Sequence, residues 1–249
     1  MKRAVVLTGG PDYAHEFSST GPELAAIAHE VGFTALVVQH PDDLVAVLSA
    51  SLPENRTSES ERVDVLIVNA LRWRMLTDQH AQWREMWSYT SSADTRRAIS
   101  EFVSCGGGLV GNHTAPVCFD DWAEWGDVLG GAWSWGESAH PPLGPVSAQV
   151  IARHPITDGV SSPLILDDEV YGNLRIRPNV QVLATAKRTP DDDDQPIVWT
   201  HTYGAGRVAY CCFGHNTQSL RHVGVRKILH QAITWTASSH PSEIPPTEI

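Results

Sequence analysis

The sequence predicts an α/β fold: a doubly wound, mostly parallel sheet with an antiparallel extension. Three observations predict it. The first half of the chain alternates short apolar runs with amphipathic stretches, the pattern of strand–helix–strand units. At residues 105–115, Cys-Gly-Gly-Gly-Leu-Val-Gly-Asn-His-Thr-Ala reads as a helix ending on glycines, a short buried strand and a sharp turn. From residue 146 onward, strand-like runs follow one another with few helices between them, which suits antiparallel pairing at a sheet edge.

Taken in order, residues 4–7 form a first apolar strand, ended by Gly9 and Gly10. The loop Pro11-Asp12-Tyr13-Ala14-His15 follows. The next helix takes Ser19 or Thr20 as its cap and turns Leu24, Ile27, Ala28 and Val31 inward, until Gly32 closes it. Residues 33–38 make a second strand, and Pro41 opens a short helix through Leu44, Val47 and Leu48. Residues 53–62 are polar and read as a surface loop before a third strand at 63–68. Residues 76–87 have helical spacing, with Leu76, Trp83 and Trp87 on one side. A helix at 96–105 turns Ile99, Phe102 and Val103 inward, and Leu109 and Val110 form the central strand after it. In the second half, 146–151, 164–166, 180–185, 197–201 and 207–213 read as strands. Gly204-x-Gly206 precedes a strand, so it reads as a hairpin turn and not a dinucleotide loop. A final helix covers 220–237. No repeat or linker demands a split, so residues 1–240 are expected to form one domain and 241–249 a loose tail.

Composition narrows the function. The net charge of −11 argues against a nucleic-acid partner. Asp191 to Asp194 read as a solvated loop, since consecutive aspartates cannot all face one ion. No stretch is long enough to span a membrane, and the apolar run near Met1 is too short for a secretion signal, so a cytoplasmic location is expected. Cys105, Cys118, Cys211 and Cys212 lack metal or redox spacing and read as buried hydrophobes. Cys118 alone is kept as a nucleophile candidate. No Walker loop and no Gly-x-Ser-x-Gly elbow is present, and no nucleotide cofactor is expected.

Of twelve histidines, His29, His80, His222, His230 and His240 fall on helices or in the tail and read as surface or packing residues. His40 and His201 lie at strands with no obvious partner, and His154 belongs to a turn. His15, His113, His140 and His215 remain. Each sits where a strand meets a loop, the place where doubly wound sheets collect ligands. Imidazole there serves as acid/base, as metal ligand, or as a local hydrogen-bonding group in a tight loop. A second cluster is Asp167, Asp168, Glu169 and Tyr171. By themselves its three carboxylates read as an exposed acidic turn. Beside histidines, Glu169 would serve as a general base or complete a His/carboxylate metal site. Trp122, Trp125, Trp133 and Trp135 crowd around Gly130-Gly131, and such flat faces suit either a core or a sugar ring.

An ordered set of motifs resembles the ThuA-like family, named for trehalose utilisation. It comprises Thr8-Gly9-Gly10-Pro11-Asp12-Tyr13-Ala14-His15-Glu16-Phe17, Gly106 to His113, Trp125 to Gly131, His154-Pro155-Ile156-Thr157, Asp168-Glu169-x-Tyr171, Tyr203-Gly204-x-Gly206-Arg207-Val208 and Gly214-His215. The resemblance implies a flavodoxin-like sheet of the class I glutamine amidotransferase type. It also implies a part in catabolism of trehalose and related disaccharides, alongside a dehydrogenase that makes 3-keto sugars. The amidotransferase nucleophile would fall at the elbow where this chain has His113, so the expectation is not a glutaminase.

The expected activity is therefore acid/base, metal-assisted or not, isomerisation or glycosyl elimination or hydrolysis of a keto-sugar or keto-disaccharide. His113, Glu169 and His215 are the expected catalytic residues. Asp12, Tyr13, His15, Asn112, Trp133, His140, Tyr171 and Asn216 are the expected substrate ligands. His15, His113, His140 and His215 are the candidate metal ligands, and nitrogen-rich ligation favours zinc or a similar transition ion. The expected partner is a small-molecule sugar, with a homodimer or higher homo-oligomer left open. Two rival readings are a non-catalytic sugar-binding or regulatory protein, and a Cys118-dependent hydrolase or amidotransferase.

Overall fold

The computed structural model describes residues 2–238. The expected tail at 241–249 and His240 lie outside them. The chain forms β1 (Lys2–Gly9), α1 (Phe17–Glu30), β2 (Phe33–Val38), α2 (Asp43–Ser51), β3 (Val65–Ala70), α3 (Arg84–Trp87), α4 (Ala93–Ser104) and β4 (Gly108–Asn112). It continues through α5 (Trp125–Leu129), β5 (Gly131–Ala132), β6 (Gly144–Val150), β7 (Leu164–Asp168), β8 (Arg175–Ile176), β9 (Gln181–Ala186), β10 (Gln195–Tyr203), β11 (Gly206–Cys211), α6 (Thr217–Arg221) and α7 (Val223–Thr236).

Nine strands make one sheet in the order β2-β1-β3-β4-β11-β10-β9-β6-β7. The first five are mutually parallel, and β10, β9, β6 and β7 add on antiparallel. The inner parallel strands are apolar on both faces: Ala4 to Leu7 and Val65 to Val68 are fully buried. Right-handed crossovers send α1 to one face and α2 to the other. There α1 packs with α6 and α7, and α2 packs with α4.

Two consequences position the site. Parallel strands share a direction, so the loops after β1, β4 and β11 open on one edge. The antiparallel steps then return β7 to that same direction. β6 joins β9 through only Gln149 and Val150, and its ribbon with β7 bends back toward the helices. Leu164 abuts Gly224 of α7, and the Gly214 amide donates to Asp168. The end of β7 thus meets the loop after β11.

Five expectations need correction. Cys105 follows α4 and is exposed, not a buried hydrophobe. Residues 76–87 are not one helix: a 3-10 turn (Asp78–Trp83) leads into the single-turn α3. The helical spacing there comes from aromatic side chains that pack on neighbouring loops: Trp83 stacks on Tyr13 at 4.5 Å and His80 lies edge-on to Trp73. α1 starts at Phe17, before Ser19 and Thr20, and Thr20 instead faces inward to accept from Asn69. The last helix is broken at His222, whose ring caps α7 by accepting from the Gly224 amide. The acidic segment is not an exposed turn: Asp168 and Glu169 are both buried.

The hairpin reading of Gly204-x-Gly206 holds: β10 and β11 pair from Tyr203↔Gly206 to Val198↔Cys211. A Cβ on Gly206 would strike the backbone oxygens of Val103 and Gly107. We expect Gly206→Ala to cost about 1–3 kcal/mol, read as a lower urea midpoint. Gly144→Ala, whose Cβ meets only the Pro142 oxygen at 3.7 Å, should leave the midpoint nearly unchanged.

Candidate functional site

The loop after β1 begins with Gly9 and Gly10 at positive φ, where a Cβ on Gly10 would strike Leu71 and Phe17. That close approach folds the loop back and sets His15 over the strand ends. After β4 the chain turns at His113, a non-glycine residue at φ +45. Such a conformation costs of order 1–3 kcal/mol unless its surroundings fix it. Here they do. The His113 amide donates to the Cys211 oxygen at 2.8 Å, and the Tyr210 hydroxyl donates to the His113 oxygen at 2.8 Å. Its Nδ1 lies 2.7 Å from the Cys212 oxygen. A carbonyl can only accept, so Nδ1 carries the proton and Nε2 presents a bare lone pair.

His215 follows β11 and Glu169 follows β7. One ligand atom from each of His15, His113, Glu169 and His215 lies within 4.8 Å of all the others. His113 Nε2 is 3.5 Å from Glu169 Oε2, and His215 Nδ1 is 3.4 Å from Glu169 Oε1. The His15 ring centroid is 4.8 Å from that of His113 and 4.7 Å from that of His215. These separations are long for hydrogen bonds. The two contacts to Glu169 match the spacing of donors around a tetrahedral ion, where bonds of about 2.0–2.1 Å separate ligand atoms by about 3.4 Å. His15 Nδ1, Glu169 Oε2 and His215 Nδ1 are also buried without a hydrogen-bond partner. Buried polar atoms are rarely left so, and a shared cation would satisfy all three. The residues fit a metal ion: this His/Glu cluster could hold one.

The electrostatics agree. Burial pushes His113 down to about 3, and burial with its histidine neighbours pushes His15 down to about 2. Both rings are neutral, as a ligand must be. Burial alone would raise Glu169, but His215, His140 and His15 outweigh it and hold its carboxyl below the ordinary value. The Glu169 carboxylate facing it in turn raises His215.

Asp168, which the sequence places in the acidic cluster without a role of its own, assembles the site. Its buried carboxylate accepts from the Glu169 amide at 2.7 Å, the Gly214 amide at 2.8 Å and the Ser219 hydroxyl. It thereby ties the Glu169 and His215 loops together. Alternation along β7, with Leu164, Leu166 and Asp168 buried, is the signal that finds it.

The other expected residues divide. Tyr171 is buried against His113, its hydroxyl 3.3 Å from Nε2. His140 stands outside the four-residue group: its Nδ1 faces the Pro141 oxygen at 2.9 Å and Glu169 Oε1 at 3.4 Å, and it is more exposed than the rest. Trp133 packs on both His140 and Tyr171. Asp12 and Tyr13 are exposed on the His15 loop. Two expected substrate ligands are instead spent inside the fold. The Asn112 amide donates to the Phe213 oxygen at 2.7 Å, joining β4 to the end of β11. Asn216 caps α6 by accepting from the Ser219 amide. Trp122 and Trp125 belong to the core. Cys118 does not suit a nucleophile: it is buried, donates to the Ala70 oxygen, and burial pushes its thiol up to about 12.

The family model for ThuA, trehalose utilisation, matches residues 3–236. No curated protein matches the chain. Among solved structures the chain is similar to a ThuA-like protein of Parabacteroides merdae, with a TM-score of 0.69 and 18% identity over 98% of this chain and 93% of that one. It is similar to a β-galactosidase from Rahnella sp. R3, with a TM-score of 0.58 and 15% identity over 96% of this chain but 32% of that larger one. It is also similar to a glutamine amidotransferase of Thermotoga maritima, with a TM-score of 0.52 and 6% identity over 96% of this chain and 99% of that one. At such identities these likenesses establish the fold, which is glutamine amidotransferase-like. Among the described residues no helix is long and apolar enough to cross a membrane. Matched over nearly its whole length, the chain belongs to the ThuA family of trehalose utilisation, which ties it at family level to a carbohydrate-related role.

Proposed function

We propose that this protein is an enzyme acting on a keto-sugar or keto-disaccharide through a metal-assisted proton transfer at the His15/His113/Glu169/His215 cluster. The observation that carries the reading is the convergence of two neutral imidazoles, a third imidazole and a charged carboxylate, three of them with orphaned buried atoms. The three rings and one Glu169 oxygen, Oε2, would hold zinc or a similar divalent transition ion, the preference of a nitrogen-rich set, which leaves Glu169 Oε1 free to act as base. When bound, such an ion polarises a ketone and offsets charge that develops on its oxygen.

The chain's own groups then do the rest. A ketone acidifies the C–H bonds beside it. Glu169, held in its charged form, takes one of those protons, and the electron pair moves into an enediolate. Return of the proton to the former carbonyl carbon, with the enediolate's hydroxyl proton passing to the former ketone oxygen, gives isomerisation. Departure of a glycosyl oxygen from the β-carbon, with protonation of that oxygen, gives elimination. His140 faces Glu169 Oε1 at 3.4 Å and is partly open to solvent, so it can carry the proton in and out. Tyr171 and Trp133 wall the cluster with aromatic surface and exclude water.

Protein purified without an affinity tag or chelator should carry close to one equivalent of a transition metal by elemental mass spectrometry. His113→Gln should remove most of it, and a wild-type protein with no metal would end this reading of the cluster. Retention should begin to weaken above pH 6.5 and fall further below it, because His215, raised by Glu169 above the ordinary histidine value, then holds a proton that the ion must displace. Dialysis at stepped pH measures this.

With a 3-keto-disaccharide in deuterium oxide, the C–H beside the ketone should exchange, as followed by proton NMR. Glu169→Gln should slow exchange by about 10²–10⁴-fold. Exchange at the wild-type rate in that variant would remove Glu169 as the base.

A further inference from the structure

The four clustered tryptophans of the sequence separate in the fold. Trp122 and Trp125 go to the core, while Trp133 and Trp135 run outward from the cluster. Trp133 lies 5.5 Å from Tyr171, and Trp135 lies 6.1 Å from Trp133. Trp135 is supported from behind. Trp73, buried and reaching in from a different loop, lies 6.4 Å away with its plane only 20° from that of Trp135. His80 sets its ring edge-on to both. Yet Trp135 itself is 39% exposed. An indole braced on one side and open on the other is a rigid platform for a flat, weakly polar ring. Between it and the cluster, the Trp133 indole Nε1–H is buried with no acceptor, a donor waiting for an oxygen.

We infer that Trp135, backed by Trp73 and His80, is the subsite for a second pyranose ring. It takes the leaving-group sugar of a glycoside whose reacting ring occupies the cluster, with the Trp133 indole N–H donating to an oxygen between the two rings. This rests on the reading that the cluster handles a sugar. Trp135 is then a specificity-determining residue that acts on binding and not on proton transfer. A one-ring sugar forfeits the platform, and so does a glycoside whose leaving group has no ring.

The test uses unoxidised sugars, so that binding is read without turnover. The metal-loaded protein is titrated with trehalose, with methyl α-glucoside and with 4-nitrophenyl α-glucoside, following indole N–H shifts by NMR. Trehalose should bind about tenfold more tightly than methyl α-glucoside, the gain expected of one good stacking contact. Trp135→Ala should abolish that advantage and Trp135→Phe should keep most of it. Because Trp135 is half exposed, neither change threatens the fold, and a thermal melt checks this. Equal affinity for trehalose and methyl α-glucoside would overturn the subsite and leave the proposed chemistry standing. A gain confined to the nitrophenyl glucoside would overturn the pyranose assignment. Binding of none of the three at concentrations up to about 100 mM, where even a millimolar site would be nearly saturated, would overturn the subsite together with the carbohydrate reading.

Discussion

The buried carboxylate of Asp168 is the constraint on which the site depends. β7 lies at the far edge of a nine-stranded sheet, four strands from β11. Nothing in strand pairing alone would bring Glu169 to the histidines. Asp168 does so by accepting from the amide of the adjacent Glu169 and, from the stretch after β11, the Gly214 amide and the Ser219 hydroxyl. Removing a carboxylate from water is costly, and its donors are what make the burial tolerable. Burial still leaves the Asp168 carboxyl raised above its ordinary value, against the opposing pull of Ser219 and the backbone amides. The junction between the antiparallel ribbon and the parallel sheet therefore stands on a polar contact in an apolar setting.

The same economy of placement holds at His113. Its backbone sits in the left-handed region, and three hydrogen bonds to β11 and its loop keep it there. One bond fixes the ring's tautomer as well as its direction. Burial then keeps His113 and His15 neutral, so the cluster gathers three imidazoles without gathering three charges.

Much of this was legible in the sequence, for identifiable reasons. Parallel strands buried on both faces write themselves as apolar runs, so β1, β3 and β4 stand out. Glycines at positive φ mark strand and helix ends, as Gly9 and Gly32 do. Loops after those strands follow directly, and with them His15, His113 and His215. What remained hidden depends on contacts between distant segments. Asp168 reads as part of a solvated turn because its donors Gly214 and Ser219 lie 46 and 51 residues further on. Asn112 and Asn216 have the chemistry of substrate ligands, and only the fold reveals that backbone carbonyls and a helix end claim them. The aromatic spacing of residues 76–87 imitates a helix because loop packing obeys no period.

The dispersed origin of the cluster has a consequence for the lifetime of the protein. His15, His113, Glu169 and His215 follow the ends of β1, β4, β7 and β11, so they span most of the chain and both halves of the sheet. No fragment holds all four. Whatever occupies them binds the native state and not the unfolded one, and its binding free energy adds to the stability of the sheet as a whole. Occupancy would then set how often the entire sheet opens to proteases, so that the supply of the bound species in the cell governs abundance as much as rate.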